Sequence, residues 1–445
     1  MTQKDTKPDN ASLSRRLVDH IQSKAVSEAD LESAALFTLD AIANTCAGAN
    51  SDPGRILLAW AKEGGNAAPD TGKQAFLWGS LTHILETDDL HRQSVVHPGC
   101  VVIPPAWVVA TRRNATGRDF LTSVLHGFEA TTRVGMGVGP EHYRIWHNTS
   151  TCGPFGSAMA VSSLLNLNAA AATNALGNAG SQAAGLWEFL ETGAMTKHLH
   201  AGHAAEAGVR AAELAAFGFS GPPKILEGEK GFFRAACPDA KPDAVLSVLD
   251  APWQLTITSI KPWPSCRHTH PAIDAAIAIR TEMKRRSLPI DAIEYVSVDV
   301  YQAAMDVCDR PDPGSEYEAK FSLYHTVAAA LARDVVNFEA FGPDARNDLA
   351  ALRAKIAVKV ADPYASAYPA SWGSAVRLTL KSGEVITETR SNAKGDPEAP
   401  LSKAEMVAKA EMLLAHAGVD DPTPFIDAVL GLVSADKLPD LPVAL

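Results

Sequence analysis

The sequence predicts a mainly α-helical fold, with a large all-helical domain and a smaller α/β (α+β) lid domain. The chain has 445 residues, 46% of them hydrophobic, so it is long enough for two or three domains with a sizeable core. From Leu13 to Phe217, apolar residues recur at helical spacing in alanine-rich segments that are separated by glycine and proline. β-branched stretches follow later in the chain. Small side chains allow close helix packing, which favours a helix-on-helix core.

The predicted boundaries place residues 1–265 and 396–445 in the helical domain and residues 266–395 in the lid. Helices are expected at 34–49, 76–85, 103–112, 117–134, 155–165, 169–180, 201–217, 271–286, 324–332, 404–417 and 424–433. Strands are expected at 293–301, 355–361 and 375–390, the last interrupted by a hairpin turn at Lys381-Ser382-Gly383-Glu384. Residues 1–12 are expected to form a frayed tail.

The net charge and the cysteine pattern restrict the possible partners and compartment. The 40 basic and 51 acidic residues give a net charge of −11, which disfavours binding to nucleic acid or anionic lipid. No run of about 18 apolar residues and no apolar signal core is present, so neither a membrane span nor secretion is expected. The six cysteines show no CxxC spacing, which is typical of reduced thiols in a cytoplasmic protein.

Four polar clusters interrupt the apolar pattern and are the candidates for chemistry. The first contains Glu86, Asp88, Asp89, His91, Arg92 and His97; the second is the loop around His147; the third contains Lys197, His198, His200 and His203; the fourth contains Lys261, Cys266, Arg267, His268 and His270. Carboxylates beside imidazoles can orient a tautomer, and Lys or Arg can hold a carboxylate, so together they indicate acid–base chemistry on an anion. A solvated helix end or an ordinary stiff linker is the alternative for each cluster taken alone.

Metal and nucleotide sites are weakly indicated. His198, His200 and His203 do not share one helical face, and Cys266, His268 and His270 alternate as on a strand, which suits zinc poorly. The glycines at 135, 137 and 139 lack the GxGxxG spacing of a dinucleotide site. We therefore expect neither a metal nor a cofactor.

The order and spacing of these clusters resemble the MmgE/PrpD family over residues 15 to 435. The matching stretches are 88–99, 147–157, 179–185, 197–208, 225–232, 261–270 and 319–322. The resemblance implies a site between a helical domain and a lid, and a homodimer. Carried over by residue, it implies catalytic roles for His97, His147, Lys197 and Lys261, with Asp88 or Asp89 behind them.

The family includes 2-methylcitrate dehydratase, cis-aconitate decarboxylase and iminodisuccinate epimerase, and two departures bear on the choice. The first cluster is one residue longer than in the decarboxylase pattern and carries His91 and Arg92. Cys266 stands where decarboxylases place a histidine, and Arg267 follows it. The added arginines suit a substrate with several carboxylates. With His200, these four residues are the predicted substrate contacts.

The resulting prediction is a cofactor-independent isomerase that epimerises iminodisuccinate by moving a proton at a carbon next to a carboxylate. Lysine, arginine and histidine side chains would stabilise the anion that forms. The alternative is a lyase of the same family, similar to the dehydratase or to the decarboxylase. Proton abstraction opens both the epimerase and the dehydratase reactions.

Overall fold

The computed structural model describes residues 11–63 and 70–445 and divides the chain into two compact units. The larger unit contains residues up to Ser259 together with Ser402–Leu445, and the smaller unit contains Ile260–Leu401. The structure places residues 260–265 in the smaller unit, whereas the sequence prediction assigned them to the helical domain. One reason is that the Ile260 N–H donates to the Gly395 carbonyl at 2.9 Å. Residues 1–10 of the predicted frayed tail lie outside the described residues.

Helices joined by loops form the larger unit. They are α1 (Leu13–Ser23), α2 (Glu28–Gly48), α3 (Asp52–Lys62), α4 (Thr71–His83), α5 (Pro98–Arg113), α6 (Gly117–Met136), α7 (Pro140–Tyr143), α8 (Asn148–Leu164), α9 (Ala169–Gly180), α10 (Thr196–Ala216) and α11 (Phe232–Ala236), followed at the end of the chain by α19 (Lys403–His416) and α20 (Thr423–Leu430). The mainly α-helical prediction is confirmed.

Helix α10 packs between α4 and α8, and its small residues permit the close approach. A Cβ on Gly208 would lie 2.3 Å from Cβ of Ser157 on α8, and a Cβ on Gly202 would lie 2.2 Å from Oγ of Ser80 on α4. Both distances are far below van der Waals contact, so a larger residue at either position would push the helices apart. This packing fixes the N-terminal end of α10, where Lys197 and His200 lie.

The smaller unit combines a four-stranded sheet with short helices. Its elements are α12 (His270–Arg285), β1 (Ile293–Val300), α13 (Gln302–Cys308), α14 (Glu316–Lys320), α15 (Leu323–Ala332), α16 (Pro343–Asp348), α17 (Ala350–Arg353), β2 (Ile356–Val360), α18 (Tyr364–Ala367), β3 (Ser374–Leu380) and β4 (Val385–Arg390). The strand order is β2-β1-β3-β4, with β1 and β2 parallel and the other pairs antiparallel. The predicted turn joins β3 and β4, and Gly383 adopts φ +89° there. Helix α12 packs against this hairpin.

Within the described residues, no helix combines the length and the hydrophobicity that crossing a membrane requires.

Candidate active site

Ends of four helices in the larger unit carry the residues of the candidate site. Helix α4 ends at His83, and an irregular segment runs from Ile84 to Val96. His97 is the N-cap residue of α5, and His147 is the N-cap residue of α8. Neither imidazole makes a capping hydrogen bond to its own helix, so both rings are available for other contacts.

The Asp88 carboxylate links two of the histidines. Its Oδ2 lies 2.6 Å from Nδ1 of His83 and 3.4 Å from Nδ1 of His97. The His83 and His97 rings meet edge to face, with centroids 4.7 Å apart. The His83 side chain is fully buried, whereas the His97 side chain is 13% exposed. A carboxylate in this position holds the proton on Nδ1 of His83 and fixes the orientation of the ring.

His147 and His200 form a second pair beside the first. Their Nδ1 atoms lie 3.3 Å apart, and the His147 ring stacks on His83 with centroids 5.7 Å apart. One Nδ1 must donate while the other accepts, so the pair holds together only while at least one ring is neutral. The His147 N–H also donates to the carbonyl of Gly185 at 2.9 Å. This backbone contact joins His147 to the 185–187 segment, and there the Trp187 ring packs on the imidazole with centroids 4.6 Å apart.

Lys197 forms an ion pair with Glu86, and both side chains are buried. Glu86 has φ +61°, a left-handed backbone conformation that is uncommon for a residue with a side chain. Sequence analysis expected Lys197 to contribute positive charge to the site. The structure gives that charge a carboxylate partner, so an anionic substrate at Lys197 would have to share the ammonium with Glu86 or displace Glu86.

Burial keeps the His147–His200 pair neutral at pH 7. Desolvation lowers the pKa of His147 well below its usual value, and the proximity of His83, Lys197, His200 and His97 lowers it further. Burial and His83 lower the pKa of His200 to about 4. A neutral imidazole accepts a proton, so this pair has the protonation state that a general base requires.

Two predicted residues of the first cluster, Asp89 and His91, make contacts other than those of Asp88 with His83 and His97. The Asp89 carboxylate accepts hydrogen bonds from the Gly99 N–H at 2.9 and 3.1 Å, and so binds the first turn of α5. Nδ1 of His91 lies 2.8 Å from Oγ of Ser94, and burial lowers the pKa of His91 to about 4. Asp88, and not Asp89, therefore lies beside the histidines, while His91 contacts Ser94 and its predicted substrate contact stays a prediction.

The remaining predicted residues are Arg92 of the first cluster and three residues of the smaller unit. Arg92 is half-buried, and its predicted contact with a substrate stays a prediction. Lys261, Cys266 and Arg267 belong to the smaller unit. The Arg267 guanidinium is 2.5 Å from Asp396, 2.9 Å from Nδ1 of His270 and 3.0 Å from the Lys394 carbonyl. These contacts hold the Arg267 guanidinium within the smaller unit, and its predicted contact with a substrate stays a prediction.

Sequence reasoning did not assign roles to His83 and Glu86. His83 stands in an apolar helix segment, Leu81-Thr82-His83-Ile84-Leu85, five residues before Asp88. A histidine inside such a segment next to an acidic run is the signal that could have identified it. Glu86 was seen as part of the acidic run, but its left-handed backbone, which turns the side chain to Lys197, has no local sequence signature.

His83, Asp88 and His97 are also the described residues that come closest to a metal-ligand set, since their ligand atoms lie within 4.8 Å of one another. Two ligands of one tetrahedral zinc ion stand roughly 3.3 Å apart, given zinc–ligand distances of about 2.0–2.1 Å. The 2.6 Å between Asp88 and His83 is instead a hydrogen-bond distance. As they stand, these residues fit a hydrogen-bonded Asp–His pair better than a metal centre, and the expectation of no metal stays a prediction.

The buried histidines predict acid sensitivity between pH 6.5 and about 4. The pKa values of His91, His126, His200, His268 and His325 are lowered to about 4 by burial. In this window the unfolded chain binds protons that the folded chain does not, so the free energy of unfolding falls as the pH falls. Each histidine contributes up to about 2 kcal/mol of loss at pH 5.

Urea unfolding followed by circular dichroism at pH 7, 6 and 5 measures this loss. Burial raises the pKa of Asp89, which makes the folded chain more stable as the pH falls. This effect of one residue is smaller than the combined effect of the five histidines. We expect a falling midpoint, and a smaller fall in His91→Asn than in the unmodified chain. A midpoint that is constant from pH 7 to pH 5 would contradict the prediction.

The chain is similar to curated proteins over most of its length. The chain is similar to cis-aconitate decarboxylase of Homo sapiens, with 27% identity over 347 residues that cover 75% of this chain and 71% of that protein. It is 28% identical to the Mus musculus enzyme of the same name, over 75% of this chain and 69% of that protein. It is 25% identical to the Aspergillus terreus cis-aconitate decarboxylase, over 80% of this chain and 76% of that protein.

Two family models account for most of the sequence. The MmgE/PrpD N-terminal domain matches residues 15–244, and the MmgE/PrpD C-terminal domain matches residues 263–426. The first of these alone covers more than half of the chain and contains His83, Asp88, His97, His147 and Lys197. The chain therefore belongs to the MmgE/PrpD family.

Proposed function

We propose that this chain is a lyase that acts on a small polycarboxylic acid, with cis-aconitate as the first substrate to test. The observation that carries the proposal is the group formed by Asp88, His83 and His97 beside the neutral His147–His200 pair and Lys197. The names of the relatives point to the same class of reaction. They favour the lyase alternative over the epimerase that the sequence analysis preferred.

The proposed chemistry needs an acid–base group and a cation at one place. In decarboxylation the bond to one carboxylate breaks, CO2 leaves, and the electron pair left behind takes up a proton. We assign this proton to His97, the more exposed of the two rings that Asp88 contacts. Lys197 would hold a remaining carboxylate and stabilise the negative charge that develops.

Dehydration would use the same groups in another order. A neutral imidazole, such as that of His147, would remove a proton from carbon, the electron pair would form the double bond, and hydroxide would leave as water with a proton from the acid. Both reactions are lyase reactions; decarboxylation needs only the proton donor His97, whereas dehydration also needs a base such as His147.

Epimerisation of iminodisuccinate is the second candidate, and one observation favours it over decarboxylation. Cys266 stands at the position where the decarboxylase pattern carries a histidine. If that histidine delivers the proton after loss of CO2, the chain lacks the last step of decarboxylation. Removal of a proton and its return at the same carbon need no such residue.

A substrate panel in D2O separates these functions. The enzyme is incubated with cis-aconitate, 2-methylcitrate and single-stereoisomer iminodisuccinate while CO2, double-bond absorbance, optical rotation and deuterium uptake are followed. Release of CO2 or a new double bond supports the lyase. Deuterium uptake with loss of optical rotation, and without bond cleavage, supports the epimerase and overturns the proposal.

The His97→Asn variant is the matched control because asparagine keeps a polar side chain but supplies no titratable proton. We expect it to lose the reaction that the unmodified chain performs. Activity that survives in His97→Asn would come from another residue or from a contaminating enzyme.

A further inference from the structure

The side chains of Glu86, Thr87 and Asp88 point in alternating directions. Glu86 binds Lys197, and Asp88 contacts His83 and His97. Thr87 lies between them and donates from Oγ1 to Oδ1 of Asn44 on α2. The two carboxylates therefore reach the candidate site only while the backbone at Thr87 is held on the other side.

This backbone is not in a relaxed conformation. Glu86 has φ +61°, a left-handed region that is strained for a residue with a side chain. Such a conformation persists only where surrounding contacts determine it. The ion pair to Lys197 is one such contact, and it acts on the side chain. The contacts that hold the main chain of this segment are on the side of α2 and α19.

Lys409 on α19 supplies the main-chain contact. Its Nζ donates to the carbonyl oxygen of Thr87 at 2.7 Å and lies 2.5 Å from Oδ1 of Asp40 on α2. Asn44 completes the group, since its Nδ2 donates to the Asp40 carbonyl at 2.9 Å. Lys409 is 6% exposed, Asp40 4%, and Asn44 and Thr87 are fully buried.

The same group also reaches the helix that carries His97. Asp89 binds the Gly99 N–H in the first turn of α5, next to the N-cap His97. Asp40 and Lys409 both act electrostatically on the Asp89 carboxyl, in opposite directions. The pair therefore borders the whole Glu86–Asp89 segment and not Thr87 alone.

Stability alone is a poor reason for a buried lysine at this place. Removing an ammonium and a carboxylate from water is unfavourable, and a well-packed apolar pair is often at least as stable. An ammonium does what an apolar side chain does not: it binds Asp40 and the Thr87 carbonyl at once and sets the distance between α2 and the segment.

From these contacts we propose that Lys409 is a positioning residue of the active site, which acts by fixing the Thr87 main chain so that Glu86 meets Lys197 and Asp88 meets His83 and His97. The effect on turnover rests on the proposed function; the effect on the Asp88–His83 hydrogen bond does not. The residue lies 322 positions from Thr87 in the sequence, at the end of the chain. Through Lys409, α19 thus helps to position the two carboxylates.

Three variants separate positioning from stability. Lys409→Met removes the donor and leaves Asp40 without its ammonium partner. The double variant Asp40→Leu with Lys409→Met removes both charges and is expected to regain stability, but it still lacks a donor to Thr87. Lys24→Met is the matched control, because Lys24 also joins a buried carboxylate, Glu129 at 3.2 Å, to a carbonyl, that of Ala251 at 2.9 Å.

The first readout is turnover of the substrate that the panel identifies. We expect kcat to fall about 10- to 100-fold in both Lys409 variants, with a smaller change in KM, because a displacement of about 1 Å costs up to 100-fold. The double variant should keep this loss although its unfolding midpoint recovers. Lys24→Met should lose stability and keep kcat. If kcat recovers together with stability in the double variant, Lys409 is only structural and the proposal fails.

The second readout needs no substrate. The proton on Nδ1 of His83, bonded to Asp88, should give a low-field NMR signal that His83→Asn removes. We expect the signal to shift or disappear in both Lys409 variants and to stay in Lys24→Met. An unchanged signal in Lys409→Met overturns the proposal. If the signal changes and no panel substrate is turned over, the proposed function fails while the positioning role stands.

Discussion

Replacing Lys197 by alanine is expected to abolish turnover, lowering kcat by about 1,000-fold, while the chain still folds. The lysine ammonium is buried beside Glu86 at the start of α10, close enough to His147 to lower the pKa of that ring. A preorganised donor that stabilises developing negative charge is worth about 100- to 1,000-fold in kcat, and a full positive charge belongs at the upper end of that range. The measurement is kcat on the identified substrate, with circular dichroism to check the fold.

The ion pair itself requires a control, because Lys197→Ala leaves the Glu86 carboxylate buried without its ammonium. The double variant Glu86→Gln with Lys197→Met removes both charges and keeps most of the side-chain volume. We expect this double variant to be as inactive as Lys197→Ala and more stable. Near-normal turnover in either variant would remove Lys197 from the mechanism, and recovery in the double variant alone would trace the defect to the stranded carboxylate.

Much of the fold follows from local sequence patterns. The alternating residues of 375–390 around Lys381-Ser382-Gly383-Glu384 predict the β3–β4 hairpin, which the structure contains. The return of helical spacing after Ser402 predicts α19 and α20. The parallel pairing of β1 with β2 was not predicted. The two strands are more than 50 residues apart, and the local sequence of a strand does not specify a distant partner or the register of pairing.

The candidate site was predicted in part, and the misses have a physical cause. His97, His147 and Lys197 stand at helix starts, where polar residues interrupt an apolar pattern and are easily seen. The segment from Glu86 to His91 is neither helix nor strand, so no regular period in the sequence tells which way each side chain points. Sequence adjacency therefore did not distinguish Asp88, which faces the histidines, from Asp89, which binds α5.

Lys409 illustrates the same limit more strongly. In the sequence it lies on a helix with an ordinary capping box at Ser402, and nothing nearby marks it as buried. Its partners, Asp40 and Thr87, are more than 300 positions away. Only the packing of α19 against α2 brings the three together, and that packing depends on the whole larger unit.

The second large effect is expected on stability, in Glu129→Ala. Glu129 on α6 is fully buried and accepts hydrogen bonds from Nε of Arg133 at 2.6 Å, from the Gln254 N–H at 2.8 Å and from Lys24 at 3.2 Å. A hydrogen bond with His20, followed by the charge of Arg133, the Gln254 N–H and the charge of Lys24, lowers the pKa of Glu129 to about 2 in spite of burial. Removing the carboxylate leaves the buried Arg133 guanidinium without its counter-charge, which costs about 3–5 kcal/mol.

Urea unfolding at pH 7 measures this loss, and the surface pair of Glu141 with Arg144 at 3.2 Å supplies the control. Glu141→Ala should change the midpoint little, because exposed ion pairs contribute little to the free energy of unfolding.

The pH dependence of the unfolding midpoint gives an independent check. A lowered carboxyl pKa contributes stability above pH 4.5 that is lost as the pH falls towards 2, so the gap between Glu129→Ala and the unmodified chain should narrow over that range. A loss at pH 7 no larger than that of Glu141→Ala would mean that Arg133 finds other acceptors, among them the Val245 and Ser247 carbonyls that it already contacts.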